Sequence, residues 1–155
     1  MTVEEFRDLI AQVTGAIDGR SLNAGLQGTL NHTVPADGEL FQKINEACHA
    51  AIKEGWMCAE GGGDRAWGRV IKPGPETHGF SVDVVRMRSD KGPHHAHPTG
   101  EIDMIMPIDA TAKFDDHGAG WLVYDPASAH FPTVTDGEAL ILYLLPDGAI
   151  DFTRT

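Results

Sequence analysis

Gly92-Pro93-His94-His95-Ala96-His97-Pro98-Thr99-Gly100-Glu101-Ile102-Asp103 is the stretch on which the reading of the chain turns. Three of the eight histidines fall within four positions here, and Glu101 follows His97 by four. On an extended strand, side chains at i and i+2 share a face. His95 and His97 therefore point one way and His94 the other. Pro98-Thr99-Gly100 reads as a turn, after which Glu101 opens an apolar run and swings back toward the imidazoles. Two imidazoles and a carboxylate converging from a strand and its neighbour leave positions open for water or substrate. Neutral imidazole suits zinc, copper, iron and nickel. The competing reading is a polar, histidine-rich surface loop.

Outward from this stretch, the chain divides into a helical first third and a β remainder. Thr2-Val3-Glu4-Glu5 is a capping-box pattern. Val3, Phe6, Ile10, Val13 and Ile17 then recur at helical spacing, predicting an amphipathic helix that ends near Gly19. Ser21 is placed to cap a second helix carrying Leu22, Leu26 and Leu30. A third is predicted from about Glu39 to Glu54, with Gly55 as its stop. Gly61-Gly62-Gly63-Asp64 reads as a loop, without the strand-then-helix frame of a phosphate cradle.

From Ala66 onward, short apolar runs are broken by Pro, Gly and Asp. Strands are predicted at Arg69–Lys72, Phe80–Arg88, Glu101–Ile108, Ala112–Phe114, Trp121–Asp125, Glu138–Leu145 and Ile150–Thr153. Such a series indicates an all-β sandwich or barrel. Ala139–Leu145 has no polar face, so both faces of that strand must be covered, the outer one by the helical segment.

Composition narrows the class of partner. At 155 residues, with 41% hydrophobic and 23% charged residues, one globular domain with a substantial core is expected. A net charge of −11 argues against a nucleic-acid surface. No apolar run approaches the ~18–20 residues of a membrane span. Cys48 and Cys58 lack CxxC spacing and read as reduced and buried. With an acidic N-terminus unlike a signal peptide, they suggest a cytoplasmic protein.

His95-Ala96-His97-Pro98-Thr99-Gly100-Glu101 matches the HxHxxxE spacing of the first cupin motif, and the chain resembles the cupin superfamily. His130, in Pro126-Ala127-Ser128-Ala129-His130-Phe131-Pro132-Thr133-Val134, falls where the second cupin motif delivers its histidine from a Pro-centred turn. Two departures are visible. The glycine usual several residues after the glutamate is absent, and the second motif is one residue short, with no asparagine four residues after His130. The resemblance implies a double-sheet jelly roll, here a single cupin-like domain over 1–155, with 1–55 packed on a roll of 66–155. It also implies a divalent transition metal (zinc, iron, nickel or manganese) held by His95, His97, Glu101 and His130. Pairing of cupins through their sheets makes a homodimer the expectation.

Over nearly its whole length the chain resembles the cupin-like 4-hydroxylaminobenzoate lyase family. The features shared are the helical segment, Trp56, Arg69-Val70-Ile71-Lys72-Pro73, Phe80-Ser81-Val82-Asp83-Val84-Val85 and Gly92–Asp103. That resemblance implies conversion of 4-hydroxylaminobenzoate to 3,4-dihydroxybenzoate with release of ammonia, a step in nitrobenzoate breakdown. Within that reading, Asp103 is a proton carrier or a partner that fixes a ligand, and His94 an acid–base group at the mouth or an outward-facing neighbour. The substrate is a small aromatic carboxylate, so Arg69 or Arg86 is the candidate cation, and Tyr124 a candidate to stack on the ring. Two other readings compete with the lyase. One is an iron(II)-dependent dioxygenase acting on an aromatic or thiol substrate, the other a non-catalytic cupin that binds a small acid.

Overall fold

The computed structural model describes residues 1–153. Three helices come first: α1 (Val3–Ile17), α2 (Ala24–Thr33) and α3 (Glu39–Glu54). The capping box of α1 is formed, with Glu5 N donating to Thr2 Oγ1 at 3.1 Å and Thr2 N donating to Glu5 at 3.0 Å. α3 ends at Gly55, whose φ of 91° is open to glycine at little cost. α2 starts later than the sequence suggests. Its cap is Asn23, whose Oδ1 accepts from Leu26 N at 2.9 Å, and not Ser21. Asparagine and serine are both strong caps, so local preference alone does not choose between them.

Eleven strands follow among the described residues: β1 (Glu60–Gly62), β2 (Arg65–Ile71), β3 (Phe80–Arg88), β4 (His95–His97), β5 (Glu101–Pro107), β6 (Lys113–Phe114), β7 (Gly120–Tyr124), β8 (Ser128–His130), β9 (Val134–Thr135), β10 (Glu138–Pro146) and β11 (Asp151–Phe152). They form a six-stranded sheet in the order β1-β2-β3-β10-β5-β7, a three-stranded sheet β11-β4-β8, and a β6-β9 pair. All pairings are antiparallel. Two facing antiparallel sheets whose strands pair across long sequence gaps make this a jelly roll.

Of the Gly61–Asp64 stretch expected to be a loop, Gly61 and Gly62 fall in β1, which forms a hairpin with β2 through a turn at Gly63 and Asp64. Glycine weakens a strand, and the pairing comes from β2 rather than from local preference. β8 and β9, two or three residues long, also fall where no strand is predicted.

The six-stranded sheet separates two cores. On its outer face Val82, Val84, Met104, Leu140, Leu142 and Leu144 pack against helical residues that include Phe6, Ile10, Val13, Leu26, Phe41 and Ile44. On its inner face Val85, Met87, Ile105, Ile141, Tyr143 and Leu145 form a second core with Phe114 and Val134. This two-sided burial explains why β10 carries no polar face. Asn31 on α2 ties the layers together: its side chain accepts from Trp121 N at 2.8 Å and donates to Trp121 O at 2.9 Å. No helix among the described residues is long and apolar enough to cross a membrane.

Candidate metal centre

Strand alternation delivers the site. On β4, His95 and His97 are buried on the inner side, and Ala96 between them faces away. The turn to β5 pivots on Gly100, at φ 88°, where a Cβ would lie 2.8 Å from Leu22 and 2.9 Å from the Tyr124 carbonyl. The reversal brings Glu101 under the two imidazoles. β8 lies beside β4 with His130 directly opposite His95. The fourth residue thus arrives on a paired strand.

Four ligand atoms, one each from His95, His97, Glu101 and His130, lie within 4.8 Å of one another. Glu101 Oε1 is 3.3 Å from His95 Nε2, and Oε2 is 3.3 Å from His97 Nε2 and 3.6 Å from His130 Nε2. His95 Nε2 and His130 Nε2 are 3.0 Å apart. Neither Glu101 oxygen nor His97 Nε2, all buried, has a well-formed hydrogen-bond partner. Buried polar atoms left this way are costly, and a cation at their convergence satisfies them together. Three imidazoles and one carboxylate are a donor set suited to a divalent transition metal, so the residues fit the group. Burial alone raises a carboxyl, but the imidazoles of His130, His95 and His97 outweigh it and hold Glu101 well below the usual carboxylate range.

Contacts behind the cluster fix the rings. His97 Nδ1 meets Ser128 Oγ at 2.9 Å. His130 Nδ1 meets Asp115 Oδ2 at 2.5 Å, an arrangement in which the ring donates from Nδ1 and leaves Nε2 on the side of Glu101. Asp115 is itself held by Thr133 N, which donates to Oδ1 at 3.0 Å, and by the Tyr124 hydroxyl. Burial works against protonation of His130, but the hydrogen bond with Asp115 and the nearby Glu101 carboxylate outweigh it and raise the imidazole to about 9. Asp115 carries no sequence signal for this role. It stands 15 residues from His130 in sequence, within a turn where its own φ is 47°.

The other expected site residues divide. Asp103 shares the parity of Glu101 and is fully buried, with neither carboxylate oxygen hydrogen-bonded. Burial and the Glu101 charge push its carboxyl well above the usual aspartate range. His94 is turned away from the cluster, as alternation demands of the neighbour of His95. It meets the Thr153 hydroxyl, and its ring centroid is 4.7 Å from that of Phe131.

A cavity of about 400 Å³ opens onto His95 and Tyr143 and is walled by Trp67, Val85, Met87 and Phe152. Arg69 lines it, but its Nε and Nη2 are bound to the Asp83 carboxylate at 2.8 and 3.2 Å. Arg86 does not line it. It has the parity of Val82 and Val84, which face the helices, and its guanidinium bonds Glu138 and the Gly63 carbonyl. Tyr124 sits behind the cluster rather than in the cavity, with its ring centroid 4.5 Å from that of His130 and 5.2 Å from that of His97. Both cysteines are free, Cys48 buried and Cys58 only half-buried.

Comparison with known proteins fits this geometry. A family described as 4-hydroxylaminobenzoate lyase matches residues 8–152. The chain is 29% identical to a 4-hydroxylaminobenzoate lyase of Pseudomonas putida, over 96% of this chain and 94% of that one. It is 28% identical to a 4-hydroxylaminobenzoate lyase of a Nocardioides species, over 99% and 96%. Among solved structures, an oxalate oxidase in complex with the substrate analogue glycolate aligns with a TM-score of 0.44 at 20% identity, over 61% of this chain and 60% of that one. The chain belongs to the 4-hydroxylaminobenzoate lyase family.

Proposed function

We propose that the protein converts 4-hydroxylaminobenzoate to 3,4-dihydroxybenzoate and ammonia. The observation that carries this reading is a largely apolar cavity of ring-holding size that reaches His95 of a cluster of three histidines and a glutamate, in a chain related to the lyases almost end to end. The overall change consumes one water for each ammonia released and is redox-neutral, so no oxidant or reductant enters.

His95, His97, Glu101 and His130 would hold zinc, iron, nickel or manganese. Such an ion supplies Lewis acidity toward an oxygen, of the hydroxylamine or of water. The chain's own groups do the rest. Tyr143 lines the inner end of the cavity, where burial and the charges of Glu101 and Asp103 keep its phenol protonated and able to donate. Asp103, next to Glu101 and with its carboxyl raised by burial and that charge, is the candidate proton carrier behind the cluster. The largely apolar walls favour an aromatic ring.

The test is ammonia release from 4-hydroxylaminobenzoate by metal-loaded protein, followed together with dissolved oxygen. One ammonia per substrate with no oxygen uptake is expected. Oxygen consumption coupled to turnover assigns the site to dioxygenase chemistry instead. His95→Ala and His97→Ala are expected to lose both bound metal and activity.

A further inference from the structure

We propose that Arg65 is the specificity-determining cation of this cavity, taking the carboxylate of an aromatic acid whose ring lies against Trp67 and Phe152. The assignment rests on the reading of the substrate as an aromatic carboxylate. It was not visible in the sequence, which directed attention to Arg69 and Arg86.

Among the described residues, two cations line the cavity, Arg65 and Arg69. Arg69 is committed. Two of its nitrogens bind Asp83, and Nη2 also donates to the Gly148 carbonyl at 3.1 Å. Drawing it to a ligand would leave the largely buried Asp83 carboxylate without its partner, which opposes binding. Arg65 is differently placed. Only its Nη1 is engaged, at 3.2 Å from Asp90 Oδ2 and 3.4 Å from the Lys91 carbonyl, both at the solvent side. Its Nε and Nη2 make no hydrogen bond to the described residues. That pair of parallel N–H groups is one edge of the guanidinium fork, and it matches the two oxygens of a carboxylate.

The neighbours of Arg65 suit the remainder of such a ligand. Trp67 lies two residues along β2, so its indole shares the face of the guanidinium. It lines the cavity yet is 44% exposed, and Phe152 lines it at 59%. Large aromatic surfaces kept open on a cavity wall are ring-stacking sites. The Phe152 ring is also 5.6 Å, centroid to centroid, from that of His95. The slot therefore leads from Arg65 toward the metal ligands, with the carboxylate at one end and the reacting group at the other. Because the protein carries a net charge of −11, an anion entering here depends on such a local cation.

The experiment compares two unreactive probes, 4-hydroxybenzoate and phenol, by calorimetric titration of the metal-loaded protein. Arg65→Gln should weaken 4-hydroxybenzoate by about tenfold or more and leave phenol within about twofold, since only the charge-assisted fork is lost. Arg65→Lys should recover part of the loss. In turnover, Arg65→Gln should raise KM for 4-hydroxylaminobenzoate with kcat little changed. Trp67→Ala should weaken both probes. Equal 4-hydroxybenzoate affinity in wild type and Arg65→Gln, both melting alike, overturns the role of Arg65 while leaving the lyase reading intact. Wild-type protein that binds neither probe and releases no ammonia removes the lyase reading, and this assignment with it.

Discussion

Asp115 faces the outer nitrogen of His130, away from the four converging ligand atoms, yet it governs which nitrogen of that ring is free for a cation. A histidine that donates Nδ1–H to a carboxylate presents its Nε2 lone pair on the far side. Losing such a partner typically costs about 10–100-fold in metal affinity. Asp115→Ala should therefore lower zinc affinity by about that factor in a chelator competition, whereas Asp115→Asn, which retains an acceptor oxygen, should lose less. Equal affinity in wild type and both variants would show that His130 is held by its strand alone. The cysteines allow a second test at this scale. Burial pushes the Cys58 thiol up to about 11, against the opposing charge of Arg86, and burial raises Cys48 further. At pH 8 roughly one Cys58 in a thousand is then a thiolate. Alkylation of native protein should be slow at pH 8 and quicken roughly tenfold per pH unit up to about 11, with Cys48 slower still. Rapid modification of either thiol at pH 8 would contradict that picture.

Among the elements, α2 depends most visibly on a single side chain. Asn31 occupies both the donor and the acceptor of Trp121 at the free edge of β7, and Gln27 accepts from Val123 N on the same strand. Asn31→Ala leaves a partly buried N–H and C=O unpaired, a loss of about 1–3 kcal/mol. Denaturant melts should show that decrease, and a change within measurement error would mean that solvent satisfies the edge. The same element marks where the sequence was readable. α1, α3, β3 and β10 were legible because each carries its own pattern: apolar periodicity closed by a cap or glycine, or a long apolar run. The α2 cap was misplaced because Ser21 and Asn23 are equally good locally, and tertiary contact with the Gly100 turn settles where Leu22 goes. β1, β8 and β9 were hidden because two or three residues hold no periodicity, and their partners are distant in the chain. At the site, His95, His97 and Glu101 were legible for the opposite reason: strand parity and one turn place all three. The partnership of Arg86 with Glu138, like that of Asp115 with His130, spans a gap to which no local pattern refers.

For the molecule as a whole, the four candidate ligands come from both sheets: Glu101 from the six-stranded one, and His95, His97 and His130 from the small sheet that faces it. The large sheet is buried on both faces by two hydrophobic cores. The small sheet has only three short strands, and β4 and β8 pair over three residues. A cation joining Glu101 to the histidines would therefore clamp the weaker layer onto the stronger one, and would compensate carboxylate oxygens that are otherwise buried without donors. Because a metal binds the folded site and not the open chain, zinc at about 100 times its Kd should add about 2.7 kcal/mol. In a domain of this size that is a rise of about 5–10 °C in Tm. Chelation should reverse it. Hydrogen exchange should locate the effect, with amides of β4 and β8 losing protection on chelation well before those of β3 and β10. A Tm and exchange pattern unmoved by chelation of protein verified to have carried metal would show that hydrogen bonding and packing alone close the roll. The ion would then contribute to chemistry without contributing to the fold.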